Sequence, residues 1–169
     1  AEGTPEPAGE EGIVKINLVM IVKNEERCLR RCLAAAKPLV DEIIVADTGS
    51  SDNTAGIARE MGAKVFSFSW INDFSAARNF ALKQSDADWN LVLDADEYVR
   101  DYGRKKLEKE LAFMESRQAA FVFTAYEFGD EKARGTGRVV HVPPVLSYEK
   151  ALSRTVIFTS TVLLDTQKT

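Results

Sequence analysis

The apolar positions of the first hundred residues follow two alternating rhythms. Residues 16–22 (INLVMIV), 42–46 (EIIVA), 63–68 and the run Leu91-Val92-Leu93 are short and almost continuously apolar. That is the pattern of strands buried on both faces. Between them, apolar residues recur at helical spacing. Cys28, Leu29, Cys32, Leu33 and Ala36 share one stripe, which Pro38 ends. Asn24 is placed to cap that helix, with Glu25 and Glu26 complementing its N-terminus. Residues 54–61 predict a short helix stopped by Gly62. A third helix starts near Asp73, its expected cap, with Phe74, Ala77 and Ala81 facing the core and Arg78 at the edge of the stripe. This alternation predicts an α/β fold: a Rossmann-like, mostly parallel, doubly wound sheet with helices on both faces.

After Val99 the rhythm changes. Residues 103–117 read as an amphipathic helix with Leu107, Leu111 and Met114 inward and Lys105, Lys106 and Lys109 outward. Residues 120–126 predict an aromatic strand and 130–137 a charged loop. A returning strand over 138–142 is stopped by Pro143-Pro144, and 155–164 (TVIFTSTVLL) predicts a final strand.

Composition narrows the possibilities. A length of 169 residues suits one domain with a sizeable core. With 22 Lys and Arg against 26 Asp and Glu, there is no basic footprint for nucleic acid. No apolar run approaches the roughly 20 residues of a membrane span, and no signal-peptide pattern opens the chain. Residues 1–12, rich in Glu, Pro and Gly, read as a disordered leader. Cys28 and Cys32 lie on one helix face without further Cys or a nearby His to complete a metal site, so they read as buried packing residues. The expected location is the cytoplasm.

Candidate chemistry gathers where strands end. Leu91-Val92-Leu93 runs straight into Asp94, Asp96 and Glu97, and the 42–46 strand runs into Asp47. A buried strand does not tolerate such charge, so the acids must emerge at the sheet edge, where open α/β sheets bind ligands. On an extended chain Asp94 and Asp96 would point the same way, and two such carboxylates suit Mg2+ or Mn2+. A charged turn is the plainer account. The string Asp47-Thr48-Gly49-Ser50-Ser51 also matches an aspartic-protease loop, but one copy per chain would require a homodimer, and the helical pattern at Thr54 argues against an all-β fold. Asp94-x-Asp96 matches the acid pair of haloacid-dehalogenase-type phosphatases, except that it ends the fourth strand rather than the first. An EF-hand loop fails because Val99 stands where Gly is needed. No Walker-type or GxGxxG loop is present.

Four segments in order, MIVKNEE (20–26), DEIIVADTGSSDNT (41–54), WINDFSAARNFAL (70–82) and WNLVLDADE (89–97), resemble family 2 glycosyltransferases of the GT-A fold. The branch it looks most like includes bacterial enzymes that build cell-surface glycans or modify peptides. The resemblance implies an inverting transfer of a sugar from a nucleoside-diphosphate-sugar, a UDP-sugar being favoured, to a glycan, lipid-linked or peptide acceptor, assisted by Mn2+ or Mg2+. Ile21 and Lys23 would lie along the base, the family often having an aromatic residue where Lys23 stands. Asp47 would accept hydrogen bonds from the base, and Arg78 would reach the nucleotide or its phosphates. Asp94 would hold the ribose or a metal-bound water, Asp96 would bind the metal, and Glu97 would support them. Trp70 and Trp89 are expected in the core rather than as sugar platforms.

The resemblance also implies an organisation into a nucleotide-sugar-binding core over 13–130 and the start of an acceptor-side region over 131–169. It leaves open a catalytically incomplete nucleotide-sugar-binding domain, and a peripheral place at the inner membrane face. An inverting displacement calls for a general base. Glu127, Glu149 and Asp165 are the candidates, while His141, followed by Val142 and two prolines, reads as structural.

Overall fold

The computed structural model describes residues 14–97, 99, 104–116, 121–123, 126–129, 135–140 and 162–165. The leader, His141 and Glu149 lie outside them. Strands β1 (Ile16–Val22), β2 (Glu42–Asp47), β3 (Lys64–Ser67) and β4 (Trp89–Val92) alternate with helices α1 (Leu29–Ala36), α2 (Thr54–Glu60) and α3 (Phe74–Leu82). Helix α4 (Arg104–Ser116) and strands β5 (Phe121–Phe123), β6 (Tyr126–Gly129), β7 (Gly135–Val140) and β8 (Val162–Asp165) follow. Six strands form one sheet in the order β3-β2-β1-β4-β8-β5, in which only β8 runs against the others. Strands β6 and β7 form a separate antiparallel ribbon that takes in residues 135–137 of the expected loop. The expected acceptor-side region 131–169 therefore supplies β8 to the core sheet itself.

The continuous apolar runs have the reason expected of them: both faces of the sheet are covered. Ile16, Leu18, Met20 and Val22 of β1, with Ile43 and Val45 of β2, pack under Leu29, Cys32, Leu33 and Ala36 of α1, Ile57 and Ala58 of α2, and Leu107 and Leu111 of α4. On the opposite face Val19, Ile44 and Ala46 meet Ala81 of α3, flanked by Phe66, Phe80 and Leu82. Asn17 and Asn90 are paired in register across β1 and β4 and are fully buried. The Asn17 Nδ2 amide donates to Ser85 Oγ at 3.0 Å, whereas Asn17 Oδ1 and both side-chain polar atoms of Asn90 have no partner among the described residues. At the amino edge, Arg104 donates to the carbonyls of Val14 (2.7 Å) and Leu39 (2.8 Å) and pairs with Asp41 (3.2 Å). This guanidinium fork ties α4 to the start of β1.

Three local expectations are corrected. Asn24 does not cap α1, which begins at Leu29 without a side-chain cap; Asn24 adopts φ 57° and serves a neighbouring loop instead. Phe74 is 69% exposed. Helix α3 buries Ala77 and Ala81, and Phe74 stands in its exposed first turn. Trp70 is half-buried at that rim, its ring edge-on to Phe74 at 4.7 Å and its indole N–H donating to Asn72 Oδ1 at 2.9 Å, while Trp89 is in the core as expected. Asp73 caps α3 as expected, its carboxylate accepting the Ala76 N–H at 3.0 Å. Among the described residues no helix is long and apolar enough to cross a membrane.

Candidate functional site

From β1 the chain winds outward through β2 to β3 and then returns to the other side of β1 for β4. The switch point therefore lies between β1 and β4, and a crevice opens there beyond their carboxyl ends. The register levels the strand ends: Val22 pairs with Asp47, and Val19 pairs with Val92, two residues before Asp94. Ile21, Lys23, Asp47, Asp94 and Asp96 thus share one edge. Ile21 is half-buried against the α3-side core, and Lys23 is exposed.

Helix α3 brings Arg78 to this edge, where its Nη2 lies 3.5 Å from Asp94 Oδ1. Asp94, Asp96 and Glu97 belong to a tight turn rather than the extended chain expected from their spacing. The Glu97 N–H donates to the Asp94 carbonyl at 3.1 Å, and the Asp94 N–H donates to Glu97 Oε2 at 3.0 Å. The turn forms with Ala95, between the two aspartates, drawn into the core. Asp94 is half-buried beside Arg78; Asp96 is exposed, with no hydrogen bond or ion pair among the described residues. Glu97 holds the turn through these two hydrogen bonds.

A second lattice of hydrogen bonds clasps the β1–α1 loop to the β2–α2 loop. The Glu25 N–H donates to Thr54 Oγ1 (2.7 Å) and the Glu26 N–H to Asp52 Oδ2 (3.2 Å), while the Asn53 N–H returns to Glu26 Oε2 (3.0 Å). Burial alone would raise the Asp52 pKa, but the hydroxyl and N–H of Thr54 and the N–H of Glu26 outweigh it and hold the group below the usual carboxylate value. Sequence reasoning missed these loop residues. The usable signal was the Asp-x-x-Ser and Asp-x-Thr spacing within DTGSSDNT, where short polar side chains bond neighbouring backbone N–H groups.

Beneath the acidic turn, Cys32 Sγ lies 3.6 Å from the Asp94 carbonyl and Cys28 Sγ lies 3.1 Å from Glu25 Oε2. Burial, and then the carboxylate of Glu25, push the Cys28 thiol up to about 11. Burial, and then Glu97, push Cys32 up to about 12. Both are protonated packing groups at neutral pH, not nucleophiles.

No group of three or more His, Cys, Asp or Glu among the described residues is arranged to enclose a metal ion. A Mg2+ or Mn2+ ion shared with a diphosphate takes one or two carboxylates and fills its shell with water and phosphate oxygens. Asp94 and Asp96 are the carboxylates at this edge that could contribute to such a shell. Of the candidate bases, Asp165 pairs with Trp89, at the opposite end of β4 from Asp94. Five residues of strand correspond to roughly 16 Å. Glu127 lies in β6 opposite Val139.

Comparison with known proteins accords with this geometry. The family model for Glycosyl transferase family 2 matches residues 17–160. An uncharacterized glycosyltransferase of Rickettsia typhi is 32% identical over 127 residues, covering 71% of this chain and 42% of that protein. The putative teichuronic acid biosynthesis glycosyltransferase TuaG of Bacillus subtilis is 31% identical over 133 residues, covering 76% of this chain and 52% of its own length. A TPR repeat-containing protein of Synechococcus elongatus is 54% identical over 85 residues, 50% of this chain and 21% of that protein. The chain thus spans about half or less of each of these relatives. Among solved structures, S. aureus TarS 1–349 in complex with UDP aligns with a TM-score of 0.55 at 22% identity, over 73% of this chain and 38% of that one, a likeness of fold. The DTGSS string sits between a parallel strand and a helix, not in an all-β lobe. The sheet with its acids at the switch point is the GT-A arrangement, and the chain belongs to glycosyl transferase family 2.

Proposed function

We propose that this chain holds the nucleotide-sugar donor of an inverting, metal-assisted glycosyl transfer. The observation that carries the reading is the convergence of Asp47, the Arg78–Asp94 pair and the unpaired Asp96 on one edge of the switch point. Asp47 meets the base, beside Ile21 and Lys23. Arg78 turns its fork to the diphosphate, an anion it suits better than the single half-exposed carboxylate it now faces. Asp94 takes the ribose or a metal-bound water, and Asp96 holds Mn2+ or Mg2+, which when bound neutralises charge growing on the departing diphosphate.

An acceptor hydroxyl or thiol, on a glycan, lipid-linked or peptide acceptor, attacks the anomeric carbon from the side opposite the diphosphate. The new bond forms as the carbon–oxygen bond to the diphosphate breaks, and the leaving oxygen keeps the electron pair. A base takes the acceptor proton; Glu127 and Glu149 stay as candidates, while Asp165 pairs with Trp89 at the far end of β4 from Asp94. A UDP-sugar is the favoured donor, and UDP is what the TarS structure contains.

The test is a melting screen with UDP, GDP and dTDP, each with and without Mn2+. A metal-dependent rise with one of them, lost in Asp96→Ala, is expected. No rise with any nucleotide would sink the reading. Hydrolysis of the matching nucleotide-sugar marks the transferase; binding without turnover, even when acceptors are supplied, marks a donor-binding domain.

A further inference from the structure

The carboxylate of Asp47 is unevenly engaged. Its Oδ1 accepts the Gly49 N–H (3.2 Å), the Ser50 N–H (2.9 Å) and the Ser50 hydroxyl (2.7 Å). Its Oδ2 has no hydrogen-bond partner among the described residues. Ser50 Oγ also accepts the backbone N–H of Asn24 at 2.9 Å. A hydroxyl has one proton to give, so an N–H donor at its back directs that proton to Asp47. Asn24 is itself pinned. It holds a left-handed φ of 57°, which Asn tolerates, and its Oδ1 accepts the Ser51 N–H (2.8 Å) and hydroxyl (3.3 Å). Asn24 directly follows Lys23, so this relay locks the end of β1 to the end of β2.

We propose that Asn24 and Ser50 are positioning residues for the donor's base: their relay saturates Asp47 Oδ1 and leaves Oδ2 as one fixed acceptor, matched to a single ring N–H. This rests on the reading that Asp47 meets the base. A carboxylate with both oxygens open can take two parallel donors, whereas one with a single open oxygen fits the lone imide N–H of uracil or thymine. Cytosine and adenine present a ring acceptor at that edge and are repelled.

The experiment compares UDP with N3-methyl-UDP, which lacks the imide N–H, by calorimetric titration in Mn2+. Wild type is expected to favour UDP by about tenfold or more, the value of one hydrogen bond to a charged group. Ser50→Ala lets the carboxylate turn, and the preference falls below about threefold; Ser50→Thr, which keeps the hydroxyl, restores it. The ratio is insensitive to a general loosening of the fold, because both nucleotides meet the same protein. Equal affinities in wild type overturn the assignment of Asp47 to the base. A wild-type preference that Ser50→Ala retains in full overturns the positioning role alone. Should Ser50→Ala not fold, Asn24→Gly decides. It keeps the positive φ but drops the hold on Ser51, and an unchanged ratio there overturns the proposal.

Discussion

Replacing Arg78 by Met keeps the length of the side chain and removes its charge and donors. The guanidinium lies 3.5 Å from Asp94 Oδ1, with the two side chains 24% and 49% exposed. At that separation the bare Coulomb attraction is about 1.2 kcal/mol in bulk water and about 5 kcal/mol at an effective dielectric near 20. Half-exposure places the pair near the aqueous end. Once screening and the ordering of a long side chain are subtracted, such pairs contribute about 0.2–1 kcal/mol. The nucleotide-free variant should therefore melt within about 4 °C of wild type. Binding is a different matter: one lost charge-assisted hydrogen bond to a diphosphate costs about 1.5–3 kcal/mol, or roughly 10- to 150-fold in Kd. Arg78→Lys should restore the melting temperature but recover only part of the affinity, since an ammonium lacks the planar fork. Thermal melts without ligand and calorimetric titration with UDP and Mn2+ measure the two effects separately. The opposite split, a melting point lower by more than about 10 °C with UDP affinity within twofold of wild type, would show Arg78 to be a structural residue.

Further outcomes are expected elsewhere in the fold. Arg104→Lys keeps the charge but cannot reach both the Val14 and Leu39 carbonyls; it should lower stability by about 1–3 kcal/mol in urea with an unchanged slope, and a loss below about 0.5 kcal/mol would mean that water replaces the fork. Asn90→Val removes two buried side-chain atoms that have no partner among the described residues, so stability should rise by about 1–2 kcal/mol; a fall would reveal a partner, such as a bound water, satisfying them. The thiols, raised to about 11 and about 12 in the fold, ionise near 9.0 when unfolded. Their contribution is therefore complete below pH 9 and is lost as pH climbs toward those values. Melting points should fall across that alkaline window, less steeply in Cys32→Ala, and iodoacetamide at pH 8 should label the native chain far more slowly than the urea-unfolded one.

What was legible in the sequence is what depends on neighbours along the chain. The β1 boundaries, the Asp73 cap and the stop at Gly62 (φ 91°) all rest on local chemistry, as does the placing of acids at strand ends. What was missed depends on partners distant in sequence. Asn24 has the composition of a cap, but its side-chain Oδ1 is claimed by the Ser51 N–H across the neighbouring loop. Phe74 keeps the helical phase of Ala77 and Ala81, yet phase does not say which turns of the helix are covered. The Asp94–Glu97 turn buries Ala95, which alternation of polar and apolar residues does not signal. Likewise an apolar run shows that 162–165 is a strand but not which strands flank it.

The position of β8 has a consequence for the order in which the molecule can be completed. Among the described residues, strand β4, which ends in the acidic turn, gains its second neighbour from residues 162–165, some seventy positions further along. While the chain is being synthesised, the Trp89–Val92 edge emerges with its backbone donors and acceptors open, and it stays so for several seconds at ordinary elongation rates. An open apolar edge is a template for pairing with another chain. Any shortened version cut between the turn and β8 would keep every residue assigned to the donor and still carry this adhesive margin. For expression or fusion work, β8 thus belongs with the nucleotide half, as its protective border.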